Sequence, residues 1–213
     1  ANPASRPNIC VSGYAANGYL DGYISNLSVL NGTGFTTVTV PTTPSSTSTT
    51  NQVLLLAASN RFIDSNTATT AKTVNVTGSP QVSPAQPFTL PSSVATYGSG
   101  YFDGSNDGLI LADDAAWDFA ANNFTIEFWV NLSAASGEQF IFSQTTDSGP
   151  YYTAPVRIQF NGSQLQVFFS TTLGSWGTIL NSGAANSLNT WYHFAVVRNG
   201  TAVTVYRNGA VYD

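Results

Sequence analysis

Between Phe124 and Ser133 the chain alternates with a period of two. Phe124, Ile126, Phe128, Val130 and Leu132 fall on one side, and Thr125, Glu127, Trp129, Asn131 and Ser133 on the other. Successive side chains of a strand point to opposite faces, so this stretch predicts a half-buried antiparallel strand with one face on a core and one face free. Leu109-Ile110-Leu111, held between Asn106-Asp107-Gly108 and Asp113-Asp114, reads as a shorter strand between turns. Further strands are predicted at residues 8–11, 18–30, 53–56 and 73–77, with loops at residues 60–70 and in the Pro-rich stretch 79–91.

The C-terminal half carries hairpin signals. Asn161-Gly162, Asn199-Gly200 and Asn208-Gly209 each sit between strand-like runs, and Asn-Gly supplies the positive φ angles that a two-residue type I′ turn needs. Around the first, Val156, Ile158 and Phe160 alternate with Arg157 and Gln159, while Leu165, Val167 and Phe169 alternate with Gln164, Gln166 and Phe168. Residues 191–198 are apolar on both sides, which places them inside a sheet. Helical periodicity never exceeds a turn or two, and residues 114–121 suit one turn. Many short strands punctuated in this way predict an all-β fold, a two-sheet antiparallel β-sandwich of jelly-roll type.

Composition changes the picture at the surface. Charged residues make up 8% of the chain, against a usual ~25%, and Ser, Thr, Asn, Gln and Gly supply the polarity instead. With a net charge of -5, such a surface is weakly protected against self-association, so copies of the same chain are expected partners, as a homo-oligomer or filament. The mildly acidic balance and scattered basic residues argue against nucleic acid and anionic membranes, and no apolar run has the ~18 residues of a membrane span. Cys10 stands alone, cannot form an intrachain disulfide, and is expected to be a small buried apolar residue. The lack of methionine suggests a fragment or a processed product.

The phrase Phe102-Asp103-Gly104-x-x-Asp107, then FTIEFWV from Phe124, WYHFAVVRNG from Trp191 and YRNG from Tyr206, taken in that order, resembles the laminin-G-like domains of the concanavalin A-like lectin/glucanase superfamily. The Asn60-Arg61-Phe62-Ile63-Asp64 segment, with its Thr/Pro-rich spacer, is similar to domains repeated in marine bacteriophage virion and tail proteins, which implies a virion or extracellular location. Residues 18–30 resemble the strand pair that closes such a sandwich, yet here they come first. The resemblance therefore divides the chain into closing strands at 1–35, a Thr/Ser/Pro-rich linker at 36–52 and a sandwich at 53–213 without closing strands of its own. An open sheet edge is costly and prone to aggregate. Residues 8–30 are accordingly expected to pair with the 190–212 hairpin region. They would do so within one chain as a circular permutant, between chains by strand exchange, or as the end of a preceding repeat.

Because the superfamily includes glucanases, catalysis has to be weighed. Retaining hydrolysis needs two carboxylates about 5–5.5 Å apart, whereas the strand in question offers Glu127 with Thr125 and Trp129 as same-face neighbours. No catalytic residue is expected, and the chain reads as a non-enzyme. His193, between Tyr192 and Phe194, reads as a packed, hydrogen-bonded histidine. Asp103 and Asp107 offer the oxygen ligands that Ca2+ takes, although Asp/Asn/Gly/Ser clusters are also ordinary turn chemistry. Zinc would lack ligands.

Carbohydrate is the sharpest ligand expectation. An outward Trp129 would share a face with Glu127, and with Arg157, Gln159, Gln166 and Phe168, while Tyr151, Tyr152 and Trp176 lie in loop-like positions. Rings beside amides and carboxylates suit a pyranose, whose apolar face stacks while its hydroxyls take hydrogen bonds. The same rings would equally cover a subunit interface or cap the core. The expected function is a non-catalytic structural and adhesion module of a virion (tail, fibre or capsid appendage) or other extracellular appendage, presenting a carbohydrate-binding face to a host surface. The alternatives are a ligand-free decoration or filament subunit and a degenerate β-glucanase.

Overall fold

Alternation along the predicted strands is realised in a computed structural model, with fifteen strands among the described residues. The structure describes residues 6–12, 18–45, 48–56, 61–89, 98–119, 121–145, 156–170, 178–181 and 184–212. The strands are β1 (Arg6–Ile9), β2 (Asp21–Asn31), β3 (Gln52–Leu56), β4 (Val74–Thr77), β5 (Gln81–Ser83), β6 (Ser99–Asp103), β7 (Gly108–Leu111), β8 (Phe124–Leu132), β9 (Glu138–Thr145), β10 (Val156–Asn161), β11 (Gln164–Phe169), β12 (Thr178–Asn181), β13 (Trp191–Asn199), β14 (Ala202–Arg207) and β15 (Ala210–Val211). They form a seven-stranded antiparallel sheet in the order β12-β11-β10-β9-β1-β7-β4 and an eight-stranded one in the order β15-β14-β13-β8-β2-β6-β5, with β3 beside the second half of β2. The fold is the all-β sandwich that the patterning predicts. A 3-10 turn at Ala115–Trp117 is capped by Asp114, whose carboxylate accepts from the Ala116 N–H at 2.8 Å.

Each sheet turns its apolar positions inward. Phe124, Ile126, Phe128, Val130 and Leu132 of β8 are no more than 3% exposed. They pack in one cluster with Ile24, Val29, Phe102 and Phe194 of their own sheet and with Leu109, Phe142, Ile158, Phe160 and Val167 of the other.

The expected pairing of residues 8–30 with the 190–212 hairpin is not what forms. β2 runs along β8 from Gly22 opposite Leu132 to Asn31 opposite Phe124, and its other edge takes β6 and β3. β1 lies between β7 and β9 in the seven-stranded sheet. The reason lies in β8, which has two edges to fill: β13 takes one, from Trp191 opposite Asn131 to Arg198 opposite Phe124, and β2 takes the other. A bulge at Asn26-Leu27, with Asn26 at φ 49°, resets the alternation of β2 so that both Ile24 and Val29 face the core.

Residues 33–45 do not hang free as a spacer would. Val38 is buried against Ala195 and Val197, with Phe35 and Tyr206 alongside. Thr125 Oγ1 donates to Thr33 O, and the Ser45 N–H donates to Asn26 Oδ1. The segment thus covers part of the outer face of the eight-stranded sheet.

The Asn-Gly pairs make hairpins, in two different ways. At β14–β15 Asn208 and Gly209 are the two loop residues and both have positive φ, 51° and 80°, the type I′ signature. At β10–β11 and β13–β14 the Asn is the last paired strand residue, and the loops are Gly162-Ser163 and Gly200-Thr201 with positive φ at the glycine, the type II′ pattern.

Candidate functional site

The residues expected to share one sugar-binding face lie on opposite sheets. Glu127 and Trp129 are on the outer face of the eight-stranded sheet, whereas Arg157, Gln159, Gln166 and Phe168 are on the outer face of the seven-stranded one. The chain crosses between sheets at the β8–β9 connection. Alternation reports inward or outward but not which sheet. Tyr151, Tyr152 and Trp176 lie outside the described residues.

Arg157 and Gln159 are not open to a ligand, at 3% and 0% exposure. The guanidinium of Arg157 stacks between the Phe140 and Phe168 rings, 4.6 and 4.9 Å from their centroids. It donates to Gln159 Oε1 and, at 3.0 Å, to Glu138 Oε1. Gln159 Nε2 donates to Glu138 and Gln166. These groups satisfy one another, as buried polar groups must.

On the eight-stranded sheet, Trp129 packs edge-on against Phe88 at 5.9 Å and lies tilted against His193 at 5.3 Å, so the segment around Phe88 lies over it. His193 is packed as expected but not hydrogen-bonded through its ring: Nε2 is 3.5 Å from Glu127 Oε2, and neither ring nitrogen has a hydrogen-bond partner among the described residues. With Phe88 over Trp129 and Val38 over Ala195 and Val197, the middle and one end of this face are covered.

One register line crosses the other end. Trp191 of β13 is opposite Asn131 of β8, Asn131 is opposite Tyr23 of β2, Tyr23 is opposite Tyr101 of β6, and Tyr101 is opposite Gln81 of β5. Trp191, Asn131, Tyr23 and Tyr101 are half-buried and Gln81 is exposed. Tyr23 is the centre of the row, with its ring 4.9 Å from Tyr101 and 6.2 Å from Trp191. Asn131 Oδ1 is buried and has no hydrogen-bond partner among the described residues. β2 approaches β8 closely here: a Cβ on Gly22, at φ 151°, would sit 2.3 Å from Asn131 O. From β13 to β6 the row spans about 14 Å, at roughly 4.8 Å per strand. Sequence reasoning missed Tyr23, Tyr101 and Trp191 as a group, although outward alternation in each strand was a usable signal.

Asp21 and Asp103 lie one step beyond the row, opposite each other on β2 and β6. Burial, then the neighbouring Asp103 carboxylate, raises the pKa of Asp21. Burial, Asp21, Tyr23, Asp103 and Asp107 together raise that of the Tyr101 phenol. Of the calcium candidates, Asp107 is 2% exposed and uses both oxygens on backbone, accepting from the Ser79 N–H at 2.6 Å and the Asp103 N–H at 3.2 Å. Asp103 accepts from the Ser105 N–H at 2.8 Å. Both therefore do turn chemistry, and no group of acids, His or Cys suited to a metal occurs among the described residues. Cys10 is fully buried, and burial, with Asp107 adding, pushes its thiol pKa well up.

Comparison with known families matches residues 103–213 to the concanavalin A-like lectin/glucanases model of laminin G type. The chain belongs to the concanavalin A-like lectin/glucanases superfamily. Searches of curated proteins and of solved structures find no match. Lectin/glucanase sandwiches include carbohydrate binders, structural modules and enzymes, so the site has to carry the functional argument. The matched span holds β8, β13 and β14 of the eight-stranded sheet, while Tyr23 and Asp21 come from β2, ahead of it.

Proposed function

We propose that this lectin/glucanase sandwich is a non-catalytic carbohydrate-binding module used for adhesion, with the row Trp191–Asn131–Tyr23–Tyr101–Gln81 as its binding face. The carrying observation is the row itself: three rings and two amides share one register line at the end of the face away from Phe88 and Val38. A pyranose needs such a surface, since C–H faces stack on rings while hydroxyls bond to amides. The non-catalytic reading rests on Glu127, whose carboxylate lies 3.5 Å from the His193 ring, and on Glu138, which is engaged by Arg157 and Gln159 on the opposite sheet. A virion or other extracellular appendage suits the role. A surface made polar with Ser, Thr and Asn rather than charge is the feature that favours this setting.

The test is affinity gel electrophoresis of the chain through a panel of soluble polysaccharides. Retardation by at least one polymer is expected, with at least tenfold weaker binding in Tyr23→Ala and Trp191→Ala and unchanged binding in Arg157→Lys. Loss of binding in Arg157→Lys with none in Tyr23→Ala would move the site to the other sheet.

A further inference from the structure

Charge on the outer face of the eight-stranded sheet is one-sided. The outward positions of its described strands carry the carboxylates of Asp21, Asp103 and Glu127 together with His193, and no Lys or Arg. Asp21 and Asp103 are two residues along the same strands from Tyr23 and Tyr101, directly across from one another, and neither makes an ion pair among the described residues. Any group lying on the two tyrosines is therefore within the ~8–10 Å over which salt leaves charges unscreened.

Hydrogen-bonding sense points the same way. The carboxylates of Asp21 and Asp103, beside the two tyrosines, offer acceptors to a group lying there. A sugar hydroxyl donates to such groups, whereas a carboxylate only accepts. The row crosses several strands, so it suits a chain of sugars laid across the sheet better than a single terminal ring.

We infer that the row takes an uncharged oligosaccharide lying across the strands and rejects saccharides that carry carboxylates, an inference that rests on the carbohydrate reading of the same row. The raised pKa of Asp21 agrees with it, since burial beside Asp103 already disfavours one more negative charge at this place.

The test takes each neutral polysaccharide that retards the intact chain and compares it with the same polymer oxidised at C6 to the uronate. Binding to the oxidised form should be at least tenfold weaker, and the gap should shrink at high salt. Asp103→Asn and the Asp21→Asn, Asp103→Asn double variant should narrow it further. Asp113→Asn, an equal charge change on an exposed residue in the loop after β7, should leave it intact, with circular dichroism confirming that every variant folds. Equal retardation by neutral and oxidised polymers, or a gap unmoved by the aspartate variants, would overturn the inference and leave the carbohydrate reading standing. No retardation by any polymer, neutral or oxidised, would overturn both.

Discussion

Removing residues 1–35 should abolish folding of the remainder, including the family-matched span 103–213. β1 and β2 lie inside the two sheets, so their loss strips an edge from β8 and separates β7 from β9. These strands and Leu20, just ahead of β2, bring Ile9, Leu20, Ile24, Leu27 and Val29 to the core, none more than 1% exposed. At ~1.5–3 kcal/mol per fully buried side chain, that is about 7–15 kcal/mol of transfer free energy. The whole stability of a domain is typically ~5–15 kcal/mol. A fragment of residues 36–213 should therefore show no cooperative urea transition by far-UV circular dichroism and should aggregate through its bare edges. The same fragment unfolding cooperatively, within ~2 kcal/mol of the intact chain, would refute the reasoning, because the core would then close without β2.

Gly22→Ala should destabilise the chain by about 1–3 kcal/mol, since the new Cβ meets Asn131 O at 2.3 Å and φ is positive; chemical denaturation measures it, and a change below ~0.5 kcal/mol would contradict the close approach. Arg157→Met should cost about 1–3 kcal/mol in the same assay, because it leaves the buried Gln159 Oε1 without its donor, whereas the half-exposed Glu138 carboxylate is solvated by water. The pH profile of Tm should separate two aspartates of opposite sign. The hydrogen bonds from Lys72 and then Ala116 lower the pKa of Asp114, so its contribution is present above about pH 4 and lost as pH falls through its folded pKa. Asp114→Asn should accordingly lower Tm at neutral pH and converge with the parent in acid. Asp21 is raised, so its charged form costs stability above its folded pKa; Asp21→Asn should raise Tm at neutral pH, the advantage vanishing as pH falls.

Much of this protein was legible in the residue order. The alternation from Phe124 to Leu132 named the inward side of β8 correctly, and the Asn-Gly pairs marked every hairpin they adjoin, because both signals are local. The proposed binding face was legible only in part. Trp129 was rightly outward, but whether it meets solvent depends on Phe88, which arrives from a distant stretch of chain. Arg157 and Gln159 were rightly outward from their own core, but on the other sheet and closed over one another.

The amino-acid order by itself determined the strands, their inward faces, the turns between them and the membership of a two-sheet antiparallel class. Each of these follows from interactions a few residues apart. Which strands become neighbours was decided by the tertiary structure, because β8 has two edges and several strands could satisfy either. Putting β2 on one edge and β13 on the other set Tyr23 between Tyr101 and Trp191, residues that no local pattern connects, and left Asp21 beside Asp103 at the end of their row.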